Sequence, residues 1–370
     1  MSNSSLLSTG AKIGVLALRN RVAMAPLTRG RAVDGGVANE LMATYYSQRA
    51  SAGLIISEGT FISEAAKGWV GAPGIFTDEM SAGWKTSVDA VHAKGALFFA
   101  QLWHCGRASH STFRKDLSLA VAPSAIAINA DYIHSPTGKH AHEVPRAMNA
   151  DDIKQTLQDY KNAAEKAKAA GFDGVEIHSA NGYLLDSFLQ TKTNQRTDDY
   201  GGSLENRFRL LREVIEVVTQ VLPSDRVGVR LSPNGVYNDM GSPDYKEAFT
   251  YYLEELNKLS LGYVHVMDGL GFGFHQLGEP FTLEHVRQSY KGTVIANCGH
   301  TTEDGERFID QGLADIVAFG RPFISNPDLV DRIANKWPID QQGQTPTFWY
   351  TPGPEGYTDY PTYPESQAAQ

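Results

Sequence analysis

Three polar side chains follow a short apolar run near the middle of the chain: His178, Asn181 and Tyr183. The run at residues 173–177 is rich in β-branched side chains and too short for a helix, so it predicts a strand. At the end of such a strand, an imidazole, an amide and a phenol can face one small volume. A carbonyl oxygen placed there would meet two hydrogen-bond donors, and a neighbouring carbon would meet a proton source. The alternative is that all three are satisfied polar residues that cap the strand.

Eight near-continuous apolar runs recur along the chain, as expected for strands buried on both faces. They lie at residues 21–26, 54–58, 97–101, 174–178, 227–230, 263–267, 294–297 and 315–319. Helical patterns separate them, at residues 40–52, 81–94, 150–170, 203–222, 244–259, 302–311 and 328–335. This alternation predicts the α/β class and a TIM (β/α)8 barrel. An open doubly wound sheet is the runner-up, but the nearest glycine-rich stretch, residues 268–275, has the imperfect spacing G-x-G-x-G.

We predict one barrel domain over residues 1–370, with two added segments. Residues 109–148 contain several Pro, Gly and Ser residues, which favour a loop or hairpin insertion after the third strand. Loops of this length are often lids over active sites. Residues 340–370 form a tail in which Pro and Gly disfavour a helix over 346–360, while the aromatic residues disfavour disorder. We expect the tail to fold back on the barrel.

The composition excludes several classes of function. The 370 residues are 42% hydrophobic and 20% charged, which is typical of a globular protein with a large core. The formal net charge of −9 gives no basic surface for nucleic acid or an anionic membrane. No apolar run approaches the roughly 20 residues that a membrane-spanning helix needs. We expect neither nucleic acid nor a membrane as a partner.

The chain ends and the cysteines bear on location. The first residues show no secretory signal, and the last match no retention or peroxisomal address. Cys105 and Cys298 are the only cysteines, which excludes a disulfide scaffold and fits a reducing compartment. We predict a cytoplasmic protein.

Small and polar residues stand just past most of the predicted strands, at the end of the barrel where such enzymes carry their chemistry. After strands seven and eight, the small residues Cys298, Gly299 and Gly320 can expose backbone amides. Arg321 adds a cation, and together these groups suit a phosphate at its usual position in this architecture. The other residues of this rim are Pro26, Thr28, Gly59, Gln101, Trp103 and His104.

Arg230 ends the fifth predicted strand and has two interpretations. It is either a buried cation of the site or the structural partner of an inward carboxylate, Glu176 or Glu58. The residues alone leave both open.

Three residues near the third strand, His104, Cys105 and His110, are candidate metal ligands. Adjacent His and Cys residues cannot easily direct both donor atoms at one ion from a strand end. Neither H-E-x-x-H nor C-x-x-C occurs, so we predict no metal. A serine nucleophile is less supported still, because the chain lacks G-x-S-x-G.

Several long motifs resemble the Old Yellow Enzyme family of flavin-dependent ene-reductases, including its 12-oxophytodienoate reductase-like members. The motifs lie at residues 20–29, 101–104, 178–185, 193–207, 230–233 and 356–361. The resemblance runs from about residue 18 to residue 360. It implies the barrel fold and non-covalently bound FMN. The cofactor-binding residues that it implies are Pro26, Leu27, Thr28, Gly59, Gln101, Arg230, Cys298, Gly299, Gly320 and Arg321.

Individual cofactor contacts also follow from the resemblance. Arg321, with the amides of residues 298, 299 and 320, resembles the clamp of the FMN phosphate. Arg230 resembles the cation beside N1 and O2 of the flavin, and Gln101 the residue that bonds the pyrimidine edge. Thr28 resembles the hydroxyl near O4.

The reaction that the resemblance implies is NADPH-dependent reduction of an activated C=C bond. NADPH, or less favourably NADH, would reduce the flavin and leave, which removes the need for a nucleotide-binding domain. His178 and Asn181 would hold the carbonyl or nitro oxygen of the substrate during hydride transfer from flavin N5, and Tyr183 would protonate the neighbouring carbon. Further pocket residues are Trp103, Trp69, Tyr237 and Tyr350. The expected partners are enone and nitro compounds, and the expected assembly is a monomer or homodimer.

Two positions depart from the family pattern. Trp69 stands where many members have Tyr, which predicts a different pocket shape. Cys298 stands where Gly is common, and a positive φ is costly for Cys. We therefore expect a loop that is not left-handed there, or one that has shifted.

Two other functions compete with this assignment. A flavin-free barrel, such as an aldolase, would use the same phosphate site but needs a Schiff-base Lys at a strand end, and none is visible. A ligand-binding barrel without catalysis is the other alternative.

Overall fold

Eight parallel strands close into a barrel in the computed structural model, which describes residues 5–368. They are β1 Val22–Met24, β2 Leu54–Phe61, β3 Leu97–Trp103, β4 Gly174–His178, β5 Val227–Leu231, β6 Tyr263–Met267, β7 Val294–Asn297 and β8 Ile316–Phe319. Each strand pairs with the next one along the chain, and β8 closes the barrel by pairing with β1. Every strand residue is buried except Leu97, which is half-buried. This burial explains the continuous apolar runs, and the predicted TIM barrel is confirmed.

Helices alternate with the strands and surround the barrel. They are α1 Glu40–Gln48, α2 Asp78–His92, α3 Ala150–Ala170, α4 Leu184–Leu189, α5 Leu204–Thr219, α6 Tyr245–Asn257, α7 Leu283–Ser289, α8 Thr302–Asp310, α9 Arg321–Ser325, α10 Leu329–Asn335 and α11 Tyr363–Ala368. The longest, α3, begins at Asn149, whose side chain accepts the amide of Asp152 in a capping box. It ends at Gly171, where the left-handed φ of 92° suits glycine.

The segment between β3 and α3 contains little regular structure. Ile133–Ser135 and Gly138–His140 form an antiparallel hairpin, and Val121–Ala122 pairs with Arg146–Ala147. The buried Arg107 guanidinium anchors the segment by donating to the Ile126 and Ala127 carbonyls and to the carbonyl of Asn238. The insertion is thereby fixed to the loop that follows β5.

The C-terminal tail lies against the loop after β1. Arg29 donates to the carbonyls of Trp349 and Gly356, at 3.1 and 2.7 Å. Arg31 donates to the carbonyls of Trp349 and Phe348, at 2.8 and 3.1 Å. Two 3-10 turns, Gln342–Gln344 and Pro346–Phe348, are the only helical structure in described residues 340–360. Two buried arginines, which pair with no carboxylate among residues 5–368, thus hold the tail through its backbone.

A hairpin formed by Ala11–Ile13 and Leu16–Leu18 precedes the barrel and was not predicted. Its strands are too short to show a hydrophobic period. Ile13 and Leu18 nevertheless pack with the interior residues Phe99 and Tyr263 in one buried cluster.

Residues 5–368 contain neither a candidate membrane span nor a cluster of candidate metal ligands. None of their helices is long and apolar enough to cross a membrane. No group of three or more His, Cys, Asp or Glu side chains among them could hold a metal ion. The predictions about a secretory signal and a C-terminal address concern the two chain ends. These ends fall partly outside the described residues.

Candidate active site

A cavity of about 1450 Å³ opens at the carboxyl ends of the strands. Every residue predicted to bind the cofactor or the substrate lines it, whereas His104 of the predicted rim does not, and the cavity extends as a groove beside α8 and α10. The lining residues proposed for the cofactor are Pro26, Leu27, Thr28, Gly59, Gln101, Arg230, Cys298, Gly299, Gly320 and Arg321. Those proposed for the substrate are His178, Asn181, Tyr183, Trp103, Trp69, Tyr237 and Tyr350. The structure brings the whole set together, while the roles of its members stay predictions.

A sharp turn after β4 brings Tyr183 back over His178. Asn181 adopts a left-handed φ of 59° and Gly182 one of 69°. The amide of Asn181 donates to Oγ of Ser232 at 2.8 Å, and the Gly182 amide donates to the Asp186 carboxylate at 2.8 Å. As a result, the Tyr183 ring centroid lies 5.0 Å from that of His178. The predicted imidazole, amide and phenol therefore share one region of the cavity.

Burial sets the protonation of this pair. It lowers the pKa of His178 well below its ordinary value, helped by the nearby Arg230 charge, so the imidazole is neutral at pH 7. Burial also raises the pKa of Tyr183 well above that of a free phenol, so the hydroxyl stays protonated. Nδ1 of His178 is buried without a hydrogen-bond partner in residues 5–368. The site thus holds one neutral imidazole with a free nitrogen and one phenol able to give a proton.

Trp103 forms the wall beside these residues. Its ring stacks on Phe61 at 5.0 Å and meets the Tyr183 ring edge-on at 4.9 Å. A Cβ atom at Gly59 would lie only 2.5 Å from the Trp103 ring, so this approach requires glycine. Trp69 and Tyr350 meet at 5.3 Å on the outer side of the cavity. The proposed substrate side is therefore strongly aromatic.

Arg230 is not ion-paired with either carboxylate considered from the sequence. One of its terminal nitrogens donates to Oδ1 of Asn297 at 2.7 Å, and its Nε has no partner in the described chain. Glu58 instead accepts the amides of Arg29 and Gly30, both at 3.1 Å. Arg230 is therefore a buried cation that still has a free donor in the cavity. Asn297, which holds it, was not singled out from the sequence.

Glu176 lies inside the barrel and orients Gln101. Its carboxylate accepts from Gln101 Nε2 at 2.8 Å, His265 Nδ1 at 2.8 Å and the Tyr263 hydroxyl at 3.1 Å. Burial opposes ionisation, but the contact with His265 and the charge of Arg230 hold the pKa of Glu176 below its ordinary value. Because the Gln101 amide nitrogen is engaged by Glu176, its Oε1 is the atom left free as an acceptor.

Of the two expectations for Cys298, the one of a loop that is not left-handed was wrong. The residue has a left-handed φ of 96°, followed by Gly299 at 91°. Its carbonyl packs so closely on Gly269 that a Cβ there would lie 2.0 Å away. The Cys298 carbonyl also accepts the Gly271 amide at 3.4 Å. The backbone around Cys298 is therefore closely packed in a conformation that L residues rarely adopt.

His104 follows Trp103 but is not placed to do chemistry. It is buried, and its Nδ1 accepts the Gly106 amide at 3.0 Å. Burial, with the charge of Arg114, lowers its pKa to about 3. His104 therefore cannot exchange protons near pH 7, and it contributes instead to the pH dependence of stability.

We expect His104→Gln to reduce the loss of stability in acid. Unfolded His104 binds a proton below pH 6.5 whereas folded His104 does not until about pH 3, so stability falls as the pH drops through this window. Between pH 7 and 5 this group alone accounts for about 2 kcal/mol of unfolding free energy. Urea unfolding of wild type and variant at both pH values measures the difference. His134→Gln, at an exposed position, is the matched control and should retain the wild-type loss. An unchanged acid loss in His104→Gln would contradict the assignment.

The chain matches known proteins over nearly its whole length. Residues 9–340 match the NADH:flavin oxidoreductase / NADH oxidase family. The chain is 39% identical to 12-oxophytodienoate reductase 2 of Arabidopsis thaliana over 361 residues, which cover 96% of this chain and 95% of the relative. It aligns with the Old Yellow Enzyme homologue from Zymomonas mobilis at a TM-score of 0.92 and 42% identity, covering 96% and 99% of the two chains. For morphinone reductase in complex with tetrahydroNAD, the TM-score is 0.89 at 42% identity, covering 96% and 97%.

Proposed function

Since the chain belongs to the Old Yellow Enzyme family of FMN-dependent oxidoreductases, we propose that it uses NADPH to reduce the C=C bond of α,β-unsaturated carbonyl compounds. The observation that carries this proposal is the pairing of neutral His178 with protonated Tyr183 at 5.0 Å on the rim of the barrel. Relatives named as reductases of 12-oxophytodienoate and morphinone support reduction as the reaction type.

The unused bonding groups of the cavity fit FMN. Nε of Arg230 is a buried donor without a partner, and Gln101 presents a free acceptor, Oε1. These complement the acceptor and donor atoms of a flavin pyrimidine edge. Bound FMN supplies the hydride for the reduction. The residues proposed to hold it are Arg230, Gln101 and Thr28 at the ring edge, Pro26, Leu27 and Gly59 along the ring, and Arg321 with the amides of Cys298, Gly299 and Gly320 at the phosphate.

The substrate side follows from the protonation states. His178 and Asn181 donate hydrogen bonds to the substrate oxygen, which draws electron density from the conjugated C=C bond. Neutral His178 suits this task because it binds the oxygen without giving up its proton. Tyr183 then protonates the carbon next to the activating group, and its raised pKa keeps the proton available at pH 7. A nitro group presents similar oxygens, so nitro-olefins are proposed as a second substrate class.

The aldolase alternative lacks its nucleophile. Lys336 is the lysine that lines the cavity among residues 5–368, and it follows α10 rather than a barrel strand. It lies in the groove, away from the rim that carries His178. The geometry therefore favours reduction over Schiff-base chemistry.

We expect the purified protein to be yellow, with a flavin spectrum that bleaches under nitrogen when NADPH is added. The flavin released by heat should be identified as FMN, and its amount per mole of protein gives the stoichiometry. Parallel titration with NADH measures the preference between the two reductants, which we expect to favour NADPH. A colourless protein that FMN does not reconstitute would overturn the proposed function.

A further inference from the structure

Arg321 lies between two aromatic rings that come from separate segments of the chain. Its guanidinium carbon is 5.1 Å from the ring centroid of Phe272, in the loop after β6. It is 5.5 Å from the ring centroid of Trp349, in the C-terminal tail. Both distances are within the roughly 6 Å reach of a cation–π contact. The cation at the start of α9 thus contacts two aromatic rings.

The same guanidinium is free of polar partners. Within residues 5–368, it forms no ion pair and donates no hydrogen bond. Carboxylates commonly hold a buried arginine, but they occupy the N–H groups that an anion would use. Aromatic rings restrict the motion of a guanidinium without accepting its N–H groups, which stay available to an anion. This arrangement keeps Arg321 positioned for an incoming phosphate without a competing anion.

The segments that carry the two rings are held by hydrogen bonds to the rest of the chain. The Trp349 indole N–H donates to the Gly343 carbonyl at 3.0 Å, and the Trp349 carbonyl accepts from Arg29 and Arg31. Phe272 follows Gly271, whose amide donates to the Cys298 carbonyl at 3.4 Å. The tail and the loop after β6 are therefore each tied to the body of the protein next to Arg321.

We propose that Trp349 and Phe272 are positioning residues for the phosphate of FMN, acting through Arg321. The inference rests on the proposed function, because it takes FMN as the ligand. It assigns the C-terminal tail a part in cofactor binding: Arg29 and Arg31 hold the tail, the tail holds Trp349, and Trp349 orients Arg321.

FMN and riboflavin, which lacks the phosphate, separate this role from simple packing. Flavin-depleted full-length protein is titrated with each flavin, and binding is measured by quenching of flavin fluorescence. Trp349→Leu and Phe272→Leu should each raise the dissociation constant for FMN about three- to fivefold. The dissociation constant for riboflavin should change by less than about 1.5-fold, since riboflavin has no group for Arg321 to bind. In an Arg321→Met background, neither substitution should weaken FMN binding further.

Two control variants test whether the effect on FMN binding requires the aromatic rings. Trp349→Phe keeps a π face but loses the indole N–H, and should bind FMN nearly as tightly as wild type. Leu277→Ala changes another exposed side chain of the loop after β6, 47% accessible, and should leave both constants unaltered. Phe272 is 48% exposed, so its variant tests the proposal even if Trp349→Leu does not fold.

Equal weakening of FMN and riboflavin binding, or unchanged FMN binding, in both leucine variants would overturn the inference and leave the proposed function intact. A wild-type protein that binds neither flavin would overturn both.

Discussion

Replacing Tyr183 with Phe should leave flavin reduction by NADPH close to the wild-type rate and slow alkene reduction by roughly 10²- to 10⁴-fold. The substitution removes only the hydroxyl. The phenylalanine ring can keep the edge contacts with Trp103 and His178, whose centroids lie 4.9 and 5.0 Å from that of Tyr183. The proton donor is lost while the pocket shape is retained, so the defect should be confined to the half-reaction that reduces the alkene.

Stopped-flow absorbance under nitrogen measures the two half-reactions separately for this variant. Tyr237→Phe is the matched control, because Tyr237 lines the same cavity but is 38% exposed. Its variant should slow alkene reduction far less. If Tyr183→Phe oxidises its reduced flavin with an enone as fast as wild type does, another group donates the proton.

Arg230→Met should weaken FMN binding and slow flavin reduction by roughly 10²- to 10³-fold, because it removes a preorganised cation from the site of developing negative charge. The variant should also be less stable. Loss of Arg230 removes one of the charges that hold the pKa of the buried Glu176 carboxylate below its ordinary value, so keeping Glu176 ionised in the barrel costs more free energy. Methionine fills similar volume, so packing loss contributes little.

The flavin absorbance decay on mixing with NADPH, at saturating FMN, gives the reduction rate of Arg230→Met. Urea unfolding gives its stability. Arg226→Met makes the same chemical change just before the first residue of β5, at the end of the strand opposite Arg230. There Arg226 donates to the Asp173 carbonyl at 2.9 Å. This control should reduce its flavin at the wild-type rate. Wild-type flavin reduction in Arg230→Met would show that the cation is structural.

The barrel was predictable because a strand that is buried on both faces appears in the sequence as a continuous apolar run. The same reasoning located the site, since chemistry collects at the carboxyl ends of parallel strands and His178 and Arg230 stand there. The same reasoning did not predict the short helices and strands. Helix α9 has five residues, including Pro322, and the hairpin strands have three, so neither spans enough residues to show a period.

The contacts that organise the site depend on tertiary structure. Glu176 orients Gln101 because the two residues are register partners on β4 and β3, far apart in the chain. Phe272 and Trp349 meet at Arg321 only once the loop after β6 and the tail have folded onto the rim. The backbone conformation at Cys298 was likewise not predictable from the sequence. Residue preference argued against a positive φ, but Cys298 adopts one in a turn whose carbonyl packs on Gly269 and accepts the Gly271 amide.

Adding an enone to the NADPH-bleached protein under nitrogen tests the central claim most directly. The experiment uses stoichiometric NADPH, then 2-cyclohexen-1-one, with cyclohexanone as the saturated control. We predict that the oxidised flavin spectrum returns with the enone and not with the saturated ketone, and that cyclohexanone appears as the product. A flavin that stays bleached with the enone and with a nitro-olefin, or that both ketones reoxidise equally, would contradict the assignment of this chain as an ene-reductase.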